Sequence, residues 1–360
     1  MMIAVYKKYL IKKFLKKICK VSIIFLSLII VLNIFEEIAF FGDLQVNFLF
    51  PYLLTLFSSP SILFEIFPFI FLISALLFFL DLINLNELEV FKVNGLDNLK
   101  IIKILFFTSM IVGLFLIVFY YSFSSKLKFI YLELKSNYTT DGKYLTMINE
   151  NGIWIKDEVD ENIYIINAKK IEKNKLKDVV ISRFNLKFEF KDTILSSSID
   201  ITNNEWLILN PITTEEYSSL IQDNTLKLNT NFNIKKINQM FSDLSSLNIL
   251  KLIKLSNDYE NLGYSTTEVR SHLSKIYSYP IYLALMALFS SIIMLNIKKN
   301  KPMIFYLILS IFLSVVIYYF NVIFNLLGET GKIPVYVSTW MPIFILIILI
   351  SIGLIRINEK

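Results

Sequence analysis

101-IIKILFFTSMIVGLFLIVFYY-121 is apolar almost throughout, ends in a pair of tyrosines and gives way to a polar stretch that lasts to about residue 275. A bilayer core takes about 20 consecutive, mostly apolar residues in one helix, and tyrosine favours the membrane interface, so this stretch reads as a membrane span. Two similar runs precede it, 21-VSIIFLSLIIVLNIFEEIAFF-41 and 60-PSILFEIFPFIFLISALLFFL-80. Three follow the polar stretch: 276-IYSYPIYLALMALFSSIIMLNI-297, 303-MIFYLILSIFLSVVIYYFNVIF-324 and 336-YVSTWMPIFILIILISIGLIRI-357. The expected architecture is an α-helical membrane protein of six transmembrane helices with an inserted extramembrane domain. Its parts are a membrane half over 1–121, the insert over 122–275 and a second membrane half over 276–360.

Composition narrows the chemistry. The chain is 55% hydrophobic and 18% charged, against about 25% charged in ordinary soluble domains, which excludes a disordered chain. One cysteine, Cys19, and one histidine, His272, leave no disulfide framework, no thiolate zinc site and no histidine-based metal or triad chemistry. No phosphate-binding G-x-x-x-x-G-K-[ST] loop, dinucleotide G-x-G-x-x-G or zinc-binding H-E-x-x-H occurs. The expectation is therefore no catalytic residue, no metal ligand and no cofactor on this chain. The first span follows a lysine-rich stretch, as a signal peptide would, but its apolar run exceeds the usual 7–15 or so residues and no small-x-small site follows Phe40. It is read as a retained span.

The net charge of +6 fits either a nucleic-acid binder or a membrane topology, and the distribution decides. Lys7, Lys8, Lys12, Lys13, Lys16, Lys17 and Lys20 precede the first span with no acid among them, which by the positive-inside tendency puts the N-terminus in the cytoplasm. An even number of spans returns the C-terminus to that side. The inside set then also holds Lys92, Lys100, Lys103, Lys298, Lys299, Lys301, Arg356 and Lys360 against Asp81, Glu87, Glu89, Asp97 and Glu359, a net of +10. The outside set holds Glu36, Glu37, Asp43, Glu65 and Glu329 against Lys332, a net of −4, and the insert is neutral. The basic excess is a topology signal, and no nucleic-acid partner is expected.

Within the insert, Ile153/Ile155, Leu186/Phe188/Phe190 and Ile199/Ile201 alternate with period two. Ile163–Ile166, Val179–Ile181 and Trp206–Leu209 are short apolar runs. Turn chemistry at Asn151-Gly152, Asp157–Asn162, Asn203-Asn204 and Asn210-Pro211 separates them, so the middle of the insert reads as an all-β sandwich or jelly roll. From about 234 the period becomes helical at Ile237, Phe241 and Leu244. Ser265-x-x-Glu268 then reads as a capping box opening the helix that enters the fourth span.

Three groups of residues stand out as functional candidates. In 81-DLINLNELEVFKVNGLDNLK-100, Leu85, Leu88, Val90, Phe91 and Val93 lie among charges, and Gly95 is a helix stop. That is either an ordinary surface helix or one whose apolar residues await a partner, with Glu87 ready to pair with a base on it. Glu36, Glu37 and Glu65 lie in or near spans, where a charge is expensive and usually faces a cavity or a partner; Glu65, followed by Pro68, is the better cavity candidate. The N-terminal stretch, with Tyr6, Tyr9, Leu10, Phe14 and Leu15 among its lysines, reads as an interfacial amphipathic helix on anionic lipid. His272 reads as an interfacial side chain, and Tyr336 and Trp340 as part of an aromatic belt.

Three spans, a β-rich extramembrane domain and three more spans resemble the LptF/LptG permease family of the lipopolysaccharide exporter, over nearly the whole chain. The stretch 86-NELEVFKVNG-95 is similar to that family's coupling helix, in which an acidic residue and a leucine precede a glycine, here Glu87, Leu88 and Gly95. The segment 152-GIWIKDEVDENIYIINAKKI-171 resembles the opening strands of the family's jelly roll at Gly152, Trp154, Lys156, Asp157, Tyr164 and Ile165, and 274-SKIYSYP-280 resembles the entry to its fourth span. The Gly-x-Trp-x-Lys-Asp run points to the LptG branch.

The resemblance implies a bacterial inner-membrane subunit that pairs with a paralogous LptF/LptG permease around a V-shaped cavity. A cytoplasmic ABC ATPase dimer, which carries the ATP and Mg, drives the pair through coupling helices. Lipopolysaccharide would leave the outer leaflet through the cavity and pass along a periplasmic jelly roll to LptC/LptA-type proteins. On that reading Glu87, Leu88, Phe91 and Gly95 couple to the ATPase, Asn33, Glu36, Glu37 and Glu65 line the cavity, and Ile155, Phe188 and Phe190 line the lipid track. LptG proteins often carry bases near the outer end of the first span, where this chain has Asn33, Glu36 and Glu37. The sister permease or a divalent cation then supplies the positive charge, or the glycolipid carries less phosphate.

Two other classes were weighed. An FtsX-like scaffold regulating a periplasmic partner generally has four spans with its large domain after the first, whereas here the domain follows the third. A membrane-embedded glycosyltransferase needs acids or histidines clustered at a membrane face, and the sequence has no such cluster.

Overall fold

The computed structural model of the protein describes residues 2–42, 46–136, 138, 153–172, 174–215, 218–221, 225–234, 236–237, 243–261, 264–296 and 303–358. Asp43, Asn151, Gly152, Phe241, Lys298, Lys299, Lys301, Glu359 and Lys360, used above for pattern and charge, lie outside the described residues. The chain forms two compact units, one of Met1–Lys128 with Thr266–Lys360 and one of Phe129–Ser265.

The first unit is helical, and six helices among the described residues are long and apolar enough to cross a membrane. α1 (Met2–Phe41) is followed by α2 (Phe50–Asn84), the short α3 (Glu87–Val93) and α4 (Asn98–Phe115). α4 continues through a π-helical turn, Leu116–Tyr121, into α5 (Ser122–Ser136). The basic N-terminal stretch is the first part of α1 rather than a separate interfacial helix. No glycine or proline interrupts residues 2–41, and Leu10, Phe14 and Ile18, one turn apart, are buried. Phe14 meets the rings of Phe71 and Phe78 of α2 edge-on, so this stretch packs on protein where the sequence suggested lipid.

Pro51 begins α2, where a missing N–H goes unnoticed, but Pro60 and Pro68 lie inside it. Pro68 has no N–H to give the Phe64 carbonyl one turn back. The hydroxyl of Tyr279, in α7 below, donates to that carbonyl instead, and its ring stacks on Phe64 at 4.5 Å.

The second membrane half comprises α7 (Thr267–Leu295), α8 (Met303–Glu329) and α9 (Val335–Asn358). α7 starts at Thr267 with Thr266 at its N-cap and no cap bond from the Thr266 side chain, so the helix begins one residue beyond the Ser265 of the expected box. Where α4 crosses α7, a Cβ on Gly113 would stand 2.8 Å from the Pro280 Cα. Only glycine permits that approach.

The second unit is an eight-stranded antiparallel sheet in the order β1-β2-β3-β4-β5-β8, with β6 pairing β4 and β7. The strands are β1 (Ile153–Val159), β2 (Asn162–Glu172), β3 (Lys175–Asn185), β4 (Phe190–Asp200), β5 (Glu205–Leu209), β6 (Ile212–Glu215), β7 (Ser218–Ile221) and β8 (Thr225–Asn229). Ile155, Ile166, Ile181 and Ile194 stand opposite one another across β1 to β4 and are all buried. Such a cross-strand column of β-branched side chains is what holds a half-barrel with no disulfide. Asp160 and Glu161, both at positive φ, make the two-residue turn between β1 and β2. After the strands, Leu244–Ser246 forms a 3₁₀ turn and α6 (Ile249–Asn261) follows.

Residues 186–189 are a hairpin turn, not strand, although Leu186, Phe188 and Phe190 alternate. The Asn185 side-chain oxygen accepts from the backbone N–H groups of Lys187 and Glu189, each at 2.9 Å. That local bonding outcompetes the ladder and leaves Phe188 at φ +60.

Candidate functional site

The connection between α2 and α4 is built around α3. Its end is a Schellman stop: Gly95, at φ +80, donates to Lys92 O at 3.0 Å and Leu96 N–H reaches back to Phe91 O at 3.0 Å. No residue of α3 is buried, and Val93 is 88% exposed. The helix is braced on one side only. Glu87 Oε2 takes the Lys13 ammonium at 2.6 Å, Glu87 Oε1 accepts from the Tyr9 hydroxyl at 2.8 Å, and the Tyr9 ring lies 6.4 Å from that of Phe91. One turn before the end of α2, Asp81 pairs with Lys17 at 2.5 Å. Two acids from the connection thus pin it to the lysine-rich first turns of α1. Between α3 and the start of α1 lies an open cavity of about 850 Å³ whose walls include Val5, Tyr6, Val90, Phe91 and Leu96.

Of the residues singled out here, Glu87 is closed into the chain's own ion pair rather than left open. Leu88 and Phe91 are half-buried, and Gly95 is exposed at the stop. The sequence placed Tyr9 and Lys13 on an interfacial helix, not opposite Glu87. Their spacing of four, a tyrosine and a lysine on one helix face, was the available signal, hidden among seven lysines.

The second candidate region lies on α2. Asn33 of α1 donates to Ser58 Oγ at 3.5 Å, and Ser58 is seven residues from Glu65 and so on its face. Glu65 is exposed and forms no salt bridge among the described residues. Four residues on, Phe69 contacts the Tyr318 ring of α8 at 4.9 Å. Asn33 and Glu65 are therefore brought to one face. Glu36 is exposed, whereas Glu37, one turn beyond Asn33, is buried. Tyr318, which meets Phe69, was not singled out in the sequence; Asn321 and Asn325, at spacings of three and four from it in an apolar span, bond to each other. His272 is half-buried with its Nε2 3.0 Å from the Tyr121 hydroxyl at the end of the π turn.

In the β unit the three track candidates separate. Ile155 is 1% exposed and points into the half-barrel, whereas Phe188 and Phe190 are 59% and 47% exposed at the β3–β4 tip. The inward row two residues on from Ile155 is polar. Asp157, Tyr164, Arg183 and Asp192 face one another in register, and Arg183 grips Asp192 with two nitrogens. Burial acts to lower the Arg183 pKa, but its bonds and charge contact with Asp192 win and hold it above the usual arginine value. Asp157 ties β1 to the segment after β8, accepting from Asn231 N at 2.9 Å and Asn231 Nδ2 at 2.8 Å. The open edge of β1 is also occupied. Lys156 N–H donates to the Tyr264 hydroxyl at 2.6 Å, and burial pushes that hydroxyl's pKa up.

Six helices long and apolar enough to cross a membrane, split three and three by an antiparallel β domain, with an exposed apolar helix on one connection, define a multi-pass helical membrane protein with an inserted β domain. The family model for the lipopolysaccharide export system permease LptF/LptG matches residues 8–356. The chain belongs to that family and is a permease component of the lipopolysaccharide export system, a multi-pass protein of the inner membrane. A search of curated proteins finds no match. The FtsX-like alternative has no support from the family match.

Proposed function

We propose that this chain is the LptG-type member of a permease pair that takes lipopolysaccharide from the outer leaflet of the inner membrane and passes it to periplasmic jelly-roll proteins. On this reading both termini are cytoplasmic, the β domain is periplasmic, and a cytoplasmic ABC ATPase dimer hydrolyses ATP on behalf of the pair. The observation that carries the reading is α3. A short helix with no buried residue, apolar at Val90 and Val93 and tied to α1 through Lys13 and Tyr9, is the element on which the ATPase would push. ATP energy then enters as a bias between two arrangements of the helices rather than as chemistry on this chain. Phe188 and Phe190, exposed at the domain's tip, offer acyl chains an apolar contact, whereas Ile155 and its isoleucine row are packed inside the half-barrel.

The test is reconstitution of the chain with a sister permease and the ATPase. Val93→Asp places a charge on the exposed apolar face without touching the bundle, and it should lower ATPase stimulation about tenfold, the effect of losing roughly 1.4 kcal/mol of docking. Stimulation unchanged in Val93→Asp and in Val90→Asp would sink the assignment of α3.

A further inference from the structure

The first turns of α1 have two faces with different surroundings. Leu10, Phe14, Ile18 and Val21 are buried, and the Phe14 ring lies against Phe71 and Phe78 of α2. The apolar face that an interfacial helix would give to lipid is therefore covered by protein. The lysine face divides. Lys13 and Lys17 close on Glu87 and Asp81, whereas Lys12, Lys16 and Lys20 are exposed and form no salt bridge among the described residues. Four residues apart, these three share one face of the helix and extend over about 12 Å at 1.5 Å per residue.

They line an open groove of about 840 Å³ together with Cys19, Ile23 and the two paired acids. Five lysines meet two carboxylates around it, a net of +3, and both carboxylates already hold a lysine. What the groove lacks is negative charge. Its position along the helix says what can bring that charge. Ile23 lies where the apolar run 21–41 begins, and Ile23, Ile24 and Leu28 stand exposed. A basic groove that opens onto bare apolar helix matches an amphiphile, with a phosphate for the ammonium groups and acyl chains for the side chains below them. An acidic protein surface would meet the lysines and leave those apolar side chains uncovered.

We propose that the Lys12–Lys16–Lys20 groove binds an anionic phospholipid of the cytoplasmic leaflet, seated against the Tyr9–Glu87 contact that also lines it. The inference rests on the reading that places the N-terminus in the cytoplasm. Its ligand is not the exported glycolipid, which on that reading leaves from the other leaflet.

The experiment uses the full export complex in nanodiscs of phosphatidylethanolamine with a minor share of phosphatidylglycerol, one lipid or the other carrying a photoactivatable group beside its headgroup. Wild type should capture phosphatidylglycerol in preference, on residues 12–23. Lys12→Gln, Lys16→Gln and Lys20→Gln should each lower that preference about fivefold, the effect of one base near an anionic surface. Lys7 is exposed but outside the groove, and Lys7→Gln should leave the preference unchanged.

Equal losses from Lys7→Gln and Lys16→Gln would mean a diffuse attraction to the leaflet and overturn the groove. So would loss of the ATPase from the lysine variants with lipid capture intact, because the lysines would then be meeting an acidic surface of that partner. Cys19, the chain's one thiol and exposed in the groove wall, separates these failures from a failure of the topology. A membrane-impermeant maleimide should label it in inverted membrane vesicles and not in intact spheroplasts. Labelling in spheroplasts overturns the cytoplasmic N-terminus and the leaflet assigned here. Labelling confined to inverted vesicles, with capture that does not favour phosphatidylglycerol, overturns the lipid site and leaves the topology intact.

Discussion

Glu87 and Glu65 flank the same half of α2, one just beyond its end and one in its middle, and they are treated in opposite ways. Glu87 is satisfied twice over by Lys13 and Tyr9 from its own chain. Glu65 has no base among the described residues and stands exposed. The difference follows from what surrounds them. At a connection, water and a lysine-rich helix are at hand, so an acid is absorbed into the scaffold and becomes a brace. Within an apolar span water is at hand only near the interface or where the protein provides a cavity, and an acid kept there usually faces a cavity or a partner.

The largest expected effect separates the two by sign. Glu65→Leu removes a charge from the apolar zone and should stabilise the protein in vesicles by up to about 2.5–3.5 kcal/mol on the insertion scale. Glu87→Leu should destabilise it. Reversible unfolding in mixed micelles reads both, and the same sign at the two positions would break the comparison.

An intermediate effect is expected at Tyr279, whose hydroxyl serves the carbonyl that Pro68 leaves without a donor. Tyr279→Phe retains the ring stacked on Phe64 and removes only the donor. It should cost about 1–3 kcal/mol, the range for leaving a buried acceptor unsatisfied. A carbonyl freed by Pro68 and served from α7 predicts this loss in the same unfolding measurement, whereas a neutral outcome would mean that water reaches the carbonyl.

How far these features could be read from sequence depends on the range of the interaction that makes them. The six spans were legible because length and apolarity suffice for a helix in a bilayer. Strands β1, β2, β3 and β5 were legible because Ile, Val and Trp runs ended at real turns. Leu186, Phe188 and Phe190 misled because alternation is only a pattern, and the Asn185 side chain, bonded to two backbone N–H groups within four residues, takes the chain out of the ladder. The unbroken α1 was missed because clustered lysines suggested an interface, while the burial of Leu10 and Phe14 depends on Phe71 and Phe78, which only the tertiary crossing supplies. Glu87 could be singled out from its neighbours, but its partner lies 74 residues away.

The smallest effect is the most direct test of the brace. Lys13 and Glu87 are both partly shielded from solvent, with side chains 14% and 25% exposed, so their pair is worth more than a freely hydrated one and less than a buried one. A double-mutant cycle with Lys13→Ala and Glu87→Ala should give a coupling near the upper end of the 0.2–1 kcal/mol or so found for exposed pairs. Swapping the two as Lys13→Glu with Glu87→Lys restores the attraction but turns the acid towards α1, among Lys12, Lys16 and Lys17. If Glu87 acts only as a brace, the swapped protein should recover both stability and ATPase stimulation relative to either single variant. Should stability return while stimulation does not, the carboxylate at 87 has a second partner on the ATPase, and the contrast with Glu65 narrows to two acids that each serve another molecule.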